Sequence, residues 1–537
     1  MTSDAGNHRQ NHARQVANSD RDATTLPLVL QEERKYDVGP MFALPDLRAA
    51  IPDAARLVEH APVTLRFTYH DTPDLRLARN GVSLRYRRGG SGPPWSLRLP
   101  TGERHVHREI TARGLASRVP DDLARLVLGH TRSAALSPVA TMSTVRRTYQ
   151  MLNESGTRLA EVIDDRVSLL EGRRVVSRFR QIGALTIASG GGDPRILDSI
   201  EPRLLAAGAS SDHTLEQVRA LGPLAAEPPD LPVAQPLGTD PSTADIVIEE
   251  LRRETGRLVE HDQAIRVAPE DQEALDQLRM ACRRLRTDLR AFSPLFAPSP
   301  SRSRLRTGAE LLDPLRDLAG VLRAATAPRL LRARLTGLAE EEVSRIDPDA
   351  LARLDEVLVG MTKHADAALA AYLTGTPYAR LLDGLTATAR APRLGEVAHA
   401  AAAEVVPALA ATFWERLAQA VDKLFPDSGT EDWRTARRSA RRLRRLSRLA
   451  VAALGKPAQR LVEALDPVIG LLDVEREAHR AAEMWLAASE AAANDRTLAI
   501  AVGRLVEREH VLTASARETF RSAWEDQSWR TATEWLV

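Results

Sequence analysis

QLRMACRRLRTDLRAF (277–292) and TARRSARRLRRLSRLA (435–450) superpose without a gap at an offset of 158 residues, 277 to 435. Arg279, Arg283, Arg286 and Arg290 follow one another at steps of 4, 3 and 4, and Arg437, Arg441, Arg444 and Arg448 repeat those steps. Such spacing predicts a helix with one cationic stripe in each copy. An apolar seam runs beside each stripe: Leu275, Leu278, Cys282, Leu285, Leu289 and Phe292 in the first, Trp433, Ala436, Ala440, Leu443 and Ala450 in the second. The arginines stand one residue on from the seam, about 100° round the helix, and so at the edge of the packed face. A repeat of this kind predicts an all-helical bundle of two related halves.

Crowded guanidinium groups repel one another, by a few tenths of a kcal/mol for each exposed pair one turn apart. Eight arginines lie between Arg434 and Arg448 with no acid among them, and the first copy has five with only Asp288. Two readings follow. Acids from neighbouring helices balance a solvated basic face, or the stripes leave room for an external polyanion. The repetition favours the second reading, and the planar fork of arginine suits phosphate oxygens.

Upstream, PLAAEPPDLPVAQPLGTDPS carries six prolines and is expected to form a stiff linker over 223–243. Everything after it, 244–537, reads as helix, interrupted by breaks such as SPLFAPSPSRS (293–303). Before it, 26–222 holds runs that alternate with period two: VTLRFTY (63–69), GVSLRYRR (81–88), WSLRLP (95–100), VRRTYQML (145–152) and LAEVIDDRV (159–167). These predict a mainly antiparallel β domain, so the chain as a whole reads as α+β. Residues 1–25 are polar and aperiodic and are expected to be a disordered tail.

The 537 residues carry 74 basic and 72 acidic side chains, so anion binding must come from where charges lie rather than from their sum. A single cysteine, Cys282, excludes an internal disulfide, and with no apolar leader in sight the expected compartment is the cytoplasm. The apolar stretch Val397 to Trp414 is broken by His399, Glu404 and Pro407, which predicts a buried helix and no membrane span.

The repeated helices are similar to the paired signature of the CHAD family, close to H-x-x-R-x-x-x-(R/K)-R-x-R. That resemblance implies an α-helical domain binding inorganic polyphosphate. It falls on Arg279, Arg283, Arg284 and Arg286 in the first half and on Arg437, Arg438, Arg441, Arg442 and Arg444 in the second. Arg290 and Arg448 extend the stripes. The family histidine is replaced by Asp276 and Arg434, and a later Arg–Asp pair falls on Thr326 and Ala327. Asp276 is placed to pair with Arg279 and Arg283.

In QEERKYDV (31–38), Gln31, Glu33 and Lys35 share a strand face, a pattern that resembles the ExExK signature of the CYTH family. YHDTPDLRLARNGVSLRYRR (69–88), WSLRLP and Arg108 to Ile110 extend the resemblance over about Val29 to Gly222. It implies a closed antiparallel tunnel in which basic residues hold a triphosphate and carboxylates hold Mg²⁺ or Mn²⁺. The corresponding phosphate contacts are Lys35, Arg85, Arg87, Arg98, Arg108 and Arg146, the candidate metal ligands Glu33, Glu109, Glu161 and Asp165, and the candidate catalytic pair Glu33 and Lys35. Gln31, Gln181, Gly183 and Leu185 stand where the family has carboxylates, which favours binding without turnover and a metal only if the tunnel is active.

No Walker loop, GxGxxG, GxSxG or zinc-spaced Cys/His set occurs. His105 and His107 are expected to face solvent, and Cys282 to be a core residue. Three functions remain open. The leading one is polyphosphate binding, with attachment to polyphosphate granules; the others are a metal-dependent triphosphatase acting on inorganic triphosphate, and non-specific nucleic-acid binding. The low aromatic content, 4%, disfavours the last because bases need stacking partners.

Overall fold

A computed structural model of the chain describes residues 27–48, 56–187, 195–211, 216–297, 308–490, 495–527 and 529–536. The expected tail over 1–25 lies outside the described residues. The chain divides into two compact units between Pro229 and Asp230, within the proline-rich stretch. Residues 223–226 form a 3₁₀ turn whose Ala225 packs on Leu75 and Ala78 of the first unit.

Nine strands build the first unit: β1 (Leu28–Val38), β2 (Arg56–Glu59), β3 (Val63–Asp71), β4 (Ser83–Arg88), β5 (Trp95–Pro100), β6 (Val106–Ala112), β7 (Ser137–Leu152), β8 (Arg158–Glu171) and β9 (Arg174–Ile187). They pair in the order β7-β3-β4-β5-β6-β1-β9-β8, and β8 returns to β7, which closes an eight-stranded antiparallel barrel with β2 appended to β7. The expected tunnel architecture is present. Closure removes the free edges that an open sheet would expose. On the outer face, Tyr36, Val162, Ile182 and Ala184 pack against Leu197, Ile200 and Leu204 of helix α1 (Arg195–Ala206).

Helices alone build the second unit: α2 (Thr243–Val267), α3 (Gln272–Ala291), α4 (Leu312–Thr336), α5 (Pro348–Thr374), α6 (Thr376–Arg390), α7 (Ala402–Asp422), α8 (Thr430–Leu454), α9 (Lys456–Glu490) and α10 (Arg496–Glu525), with short turns between them. Ser242 and Asp245 cap the first of these reciprocally, each side chain bonding the other's backbone N–H. The repeated segments are α3 and α8. Leu275, Leu278, Cys282, Leu285 and Leu289 are buried along one, and Trp433, Ala436, Ala440, Leu443 and Ala450 along the other. Cys282 is a core residue, as its seam position requires. Among the described residues no helix is long and apolar enough to cross a membrane.

Candidate functional site

In the barrel, strand register decides which side chains meet inside. Cross-strand partners share a face. Glu33 stands opposite Leu185, Lys35 opposite Gly183, Arg85 opposite Ser96, Arg87 opposite Phe67, Arg98 opposite Glu109, Arg146 opposite Asp165, and Glu161 opposite Leu185. Following these pairs round the barrel brings Lys35, Arg85, Arg87, Arg98 and Arg146 into one lumen with Glu33, Glu109, Glu161 and Asp165.

Arg108 is the exception. Alternation along β6 turns it with Val106 to the face opposite Glu109, where it is exposed and removed from the other candidate phosphate contacts. His107 is a second correction, in the other direction. It shares the lumen face with Glu109, its Nε2 is buried without a hydrogen-bond partner, and burial together with Arg98 pushes its pKa down to about 4. The ring is therefore neutral at pH 7. Both errors come from the phase of HVHREI, in which either alternate set carries polar residues.

Charges in the lumen are interleaved. Arg98 reaches Glu33 at 2.5 Å through Nη1 and Glu109 at 3.4 Å through Nε. Lys35 Nζ lies 3.9 Å from Glu33, and Arg85 Nη2 lies 3.7 Å from Glu109. Arg146 and Asp165 form a fork at 2.9 and 2.7 Å, while Glu161 accepts from Arg158 at 3.1 Å. Burial alone would raise the Glu33 pKa, but Arg98, Lys35 and Arg85 hold it far below the usual carboxylate range. Arg87 is pushed down by burial and by Arg85 and Arg146, and it donates to the carbonyls of Ser91 and Pro93.

This donor set does not fit a hard divalent cation. Such an ion takes about six oxygen ligands. Among the described residues no group of three or more His, Cys, Asp or Glu side chains is arranged to hold a metal. The wall beside Glu33 offers Gln181, Gly183 and Leu185, which supply one amide and no carboxylate.

In the helical unit the two stripes come together. Burial pushes Arg283 down to about 9, and Arg441, Arg437 and Arg279 act in the same sense. A guanidinium stays protonated at neutral pH, so the shift is a measure of mutual repulsion and lost hydration. Arg286 is lowered by burial, Arg290 and Arg323; Arg442 by burial, Arg290, Arg438 and Arg416; Arg448 by burial and Arg444. Among the described residues Arg283, Arg286, Arg290, Arg442 and Arg448 make no ion pair with a carboxylate, and Arg286 Nε is buried without a partner.

Other stripe members are neutralised. Asp473 of α9 binds Arg437 at 2.6 Å and also Arg441; Asp466 binds Arg444. Glu431 holds Arg434 and Arg438 at the start of α8, and Asp276 holds Arg279 at 3.0 Å. Arg284 lies 3.6 Å from the buried Glu254. Neighbouring acids therefore balance part of each stripe and, among the described residues, leave Arg283, Arg286, Arg290, Arg442 and Arg448 without a carboxylate.

Three arginines of the cluster are absent from the repeat. Arg480 is pushed down to about 10 by burial and then Arg323, Arg476 and Arg279, and Arg476 Nη1 is buried without a partner. Arg476 and Arg480 sit in DVEREAHRAAE (473–483), where local acids hide any charge excess. Arg445, within the second repeated segment but outside its stripe, is structural: it bonds Asp288 at 2.8 and 3.0 Å and pairs with Glu250 and Glu254 inside the bundle.

Comparison with known proteins divides the chain at the same place. The family model described as the CYTH domain matches residues 32–174, and that described as the CHAD domain matches 249–484. An uncharacterized protein of Mycobacterium tuberculosis is 30% identical over 406 residues, spanning 70% of this chain and 72% of that one. Among solved structures, the CHAD domain from the plant Ricinus communis is 20% identical with a TM-score of 0.44, covering 55% of this chain and 95% of its own. PptA from Streptomyces chartreusis is 20% identical with a TM-score of 0.40, covering 53% of this chain and 100% of its own.

Proposed function

We propose, from the premise that this chain belongs to the family of proteins with a CYTH domain followed by a CHAD domain, that its helical unit binds inorganic polyphosphate or a similar polyanion. The observation that carries this reading is the group Arg283, Arg286, Arg290, Arg442 and Arg448, drawn from both halves and without carboxylate partners. Repulsion within the group is relieved when phosphate oxygens enter, and each charge-assisted contact contributes about 1.5 kcal/mol or more. Attachment to polyphosphate granules would follow from that affinity.

The test is a titration with long-chain polyphosphate of the variant carrying Arg286→Gln, Arg290→Gln and Arg442→Gln, with circular dichroism as a check on folding. The expected loss is about a thousandfold or more, taking about 1.5 kcal/mol for each of the three lost contacts. Unchanged affinity in a folded variant defeats the reading. DNA competing equally with polyphosphate at one fixed salt concentration would favour non-specific nucleic-acid binding instead.

For the barrel, the same reasoning supports triphosphate binding with little or no turnover. Lys35, Arg85, Arg98 and Arg146 line one lumen, and Glu33, Glu109 and Asp165, which would hold a metal, are already paired with Arg98 and Arg146. The second reading, a triphosphatase using Mg²⁺ or Mn²⁺ with Glu33 and Lys35 at the reacting phosphate, is favoured by their shared place in that lumen. Phosphate release that requires Mg²⁺ or Mn²⁺ and is lost in Glu33→Gln would establish it.

A further inference from the structure

Two carboxylates in the lumen, Glu33 and Glu109, point at one guanidinium. Arg98 meets Glu33 at 2.5 Å and Glu109 at 3.4 Å, and a second cation backs each acid, Lys35 at 3.9 Å and Arg85 at 3.7 Å. All these side chains are largely buried, so water screens their interactions weakly. A divalent ion seeking Glu33 and Glu109 would have to evict Arg98 and then sit among Lys35, Arg85 and Arg87. Like charges at such separations repel by several kcal/mol even at an effective dielectric of about 20.

Among the described residues the wall directly beside Glu33 supplies no further carboxylate to offset that. A Cβ built at Gly183 would lie 3.4 Å from Glu33 Oε1, so position 183 is where a third carboxylate would reach the same point, and glycine has none. Leu185 faces Glu33 directly. Donors for an anion are present by contrast: among the described residues Arg87 is held only by backbone carbonyls, and His107 Nε2, a donor when it carries the ring's proton, is buried without a partner on the same lumen face.

We infer that the lumen takes a linear triphosphate free of divalent metal, with Arg98 standing between Glu33 and Glu109 in the place of a bridging cation. The inference rests on the reading of the lumen as a triphosphate site. Its ligand class is the metal-free phosphate chain: arginine and lysine supply all the positive charge.

The experiment uses the full chain carrying Arg286→Gln and Arg442→Gln, so that the helical cluster contributes little, titrated calorimetrically with sodium triphosphate in EDTA and again with Mg²⁺. Binding is expected in EDTA and weaker apparent binding in Mg²⁺, because the ion chelates the free chain, and Arg98→Gln should lower the affinity in EDTA at least about tenfold, the equivalent of 1.4 kcal/mol. Binding that needs Mg²⁺ overturns the inference. Absence of binding in both buffers overturns the triphosphate reading of the lumen. A second measurement, Mn²⁺ titration of the unsubstituted chain followed by electron paramagnetic resonance, should show no tight site; a stoichiometric site lost in Glu33→Gln overturns the inference.

Discussion

The barrel lumen and the helical arginine cluster both gather cations, yet they balance them differently. In the lumen an acid stands across from or beside nearly every base, because antiparallel register sets Arg98 against Glu109 and Arg146 against Asp165. In the helical unit Asp466 and Asp473 on α9 hold part of the second stripe, while Arg283 is crowded by Arg441 and Arg437, and Arg286 and Arg442 both by Arg290. The lumen is therefore nearly self-compensated, whereas the cluster carries an uncompensated excess. Only the second should draw a long polyanion with a steep dependence on salt.

The comparison can be broken most forcefully beneath the cluster. Arg445→Ala leaves Asp288, Glu250 and Glu254 buried without their shared cation, and removing one partner of such a network costs about 3–5 kcal/mol. Urea denaturation should show the helical unit destabilised by that order and the barrel unit unchanged. A neutral result would mean that the buried acids are protonated or hydrated in solution.

Salt sharpens the contrast. Polyphosphate affinity should fall steeply with ionic strength, and each of Arg286→Gln and Arg442→Gln should lower the log–log slope by about one, as phosphate-contacting arginines do on nucleic acids. Triphosphate in the lumen should show a shallower slope, measured on the same protein. Equal slopes at the two sites would remove the distinction.

A smaller effect concerns the flank acids. Asp473 competes with a bound phosphate for Arg437 and Arg441, so Asp473→Asn should tighten polyphosphate binding by about threefold to tenfold, under 1.5 kcal/mol. Weaker binding would mean that Asp473 positions the two guanidinium groups for the ligand rather than opposing it.

The smallest is a pH effect in the barrel. His107 has a folded pKa of about 4 against 6.5 for the free side chain. Between those values the unfolded chain holds the extra proton, so stability is lost as pH falls from 6.5 towards 4. Glu33 works in the same direction, but its depressed pKa delays the loss to more acidic solution. Thermal unfolding at pH 7 and pH 5 should show a drop that His107→Gln reduces.

Much of this was legible in the amino-acid order. Period-two runs marked β3, β4 and β5, and the gapless repeat placed both stripes and their seams, because strand and helix periodicity are local properties. His107 and Arg108 were assigned to the wrong faces because neither alternate set of HVHREI is apolar. Arg323, Arg476 and Arg480 escaped notice because the acids beside Arg476 and Arg480 cancel them in sequence, and because Arg323 belongs to neither repeated stripe.

By itself, then, the sequence determined which helices carry arginine at their packed edge and which strands alternate, since those follow from residue spacing of a few positions. Only the tertiary structure decided which charges neutralise which. Asp473 reaches Arg437 across 36 residues, Glu250 reaches Arg445 across 195, and Glu33 reaches Arg98 across 65. Coulomb energy depends on distance through space, and chain separation carries no record of it.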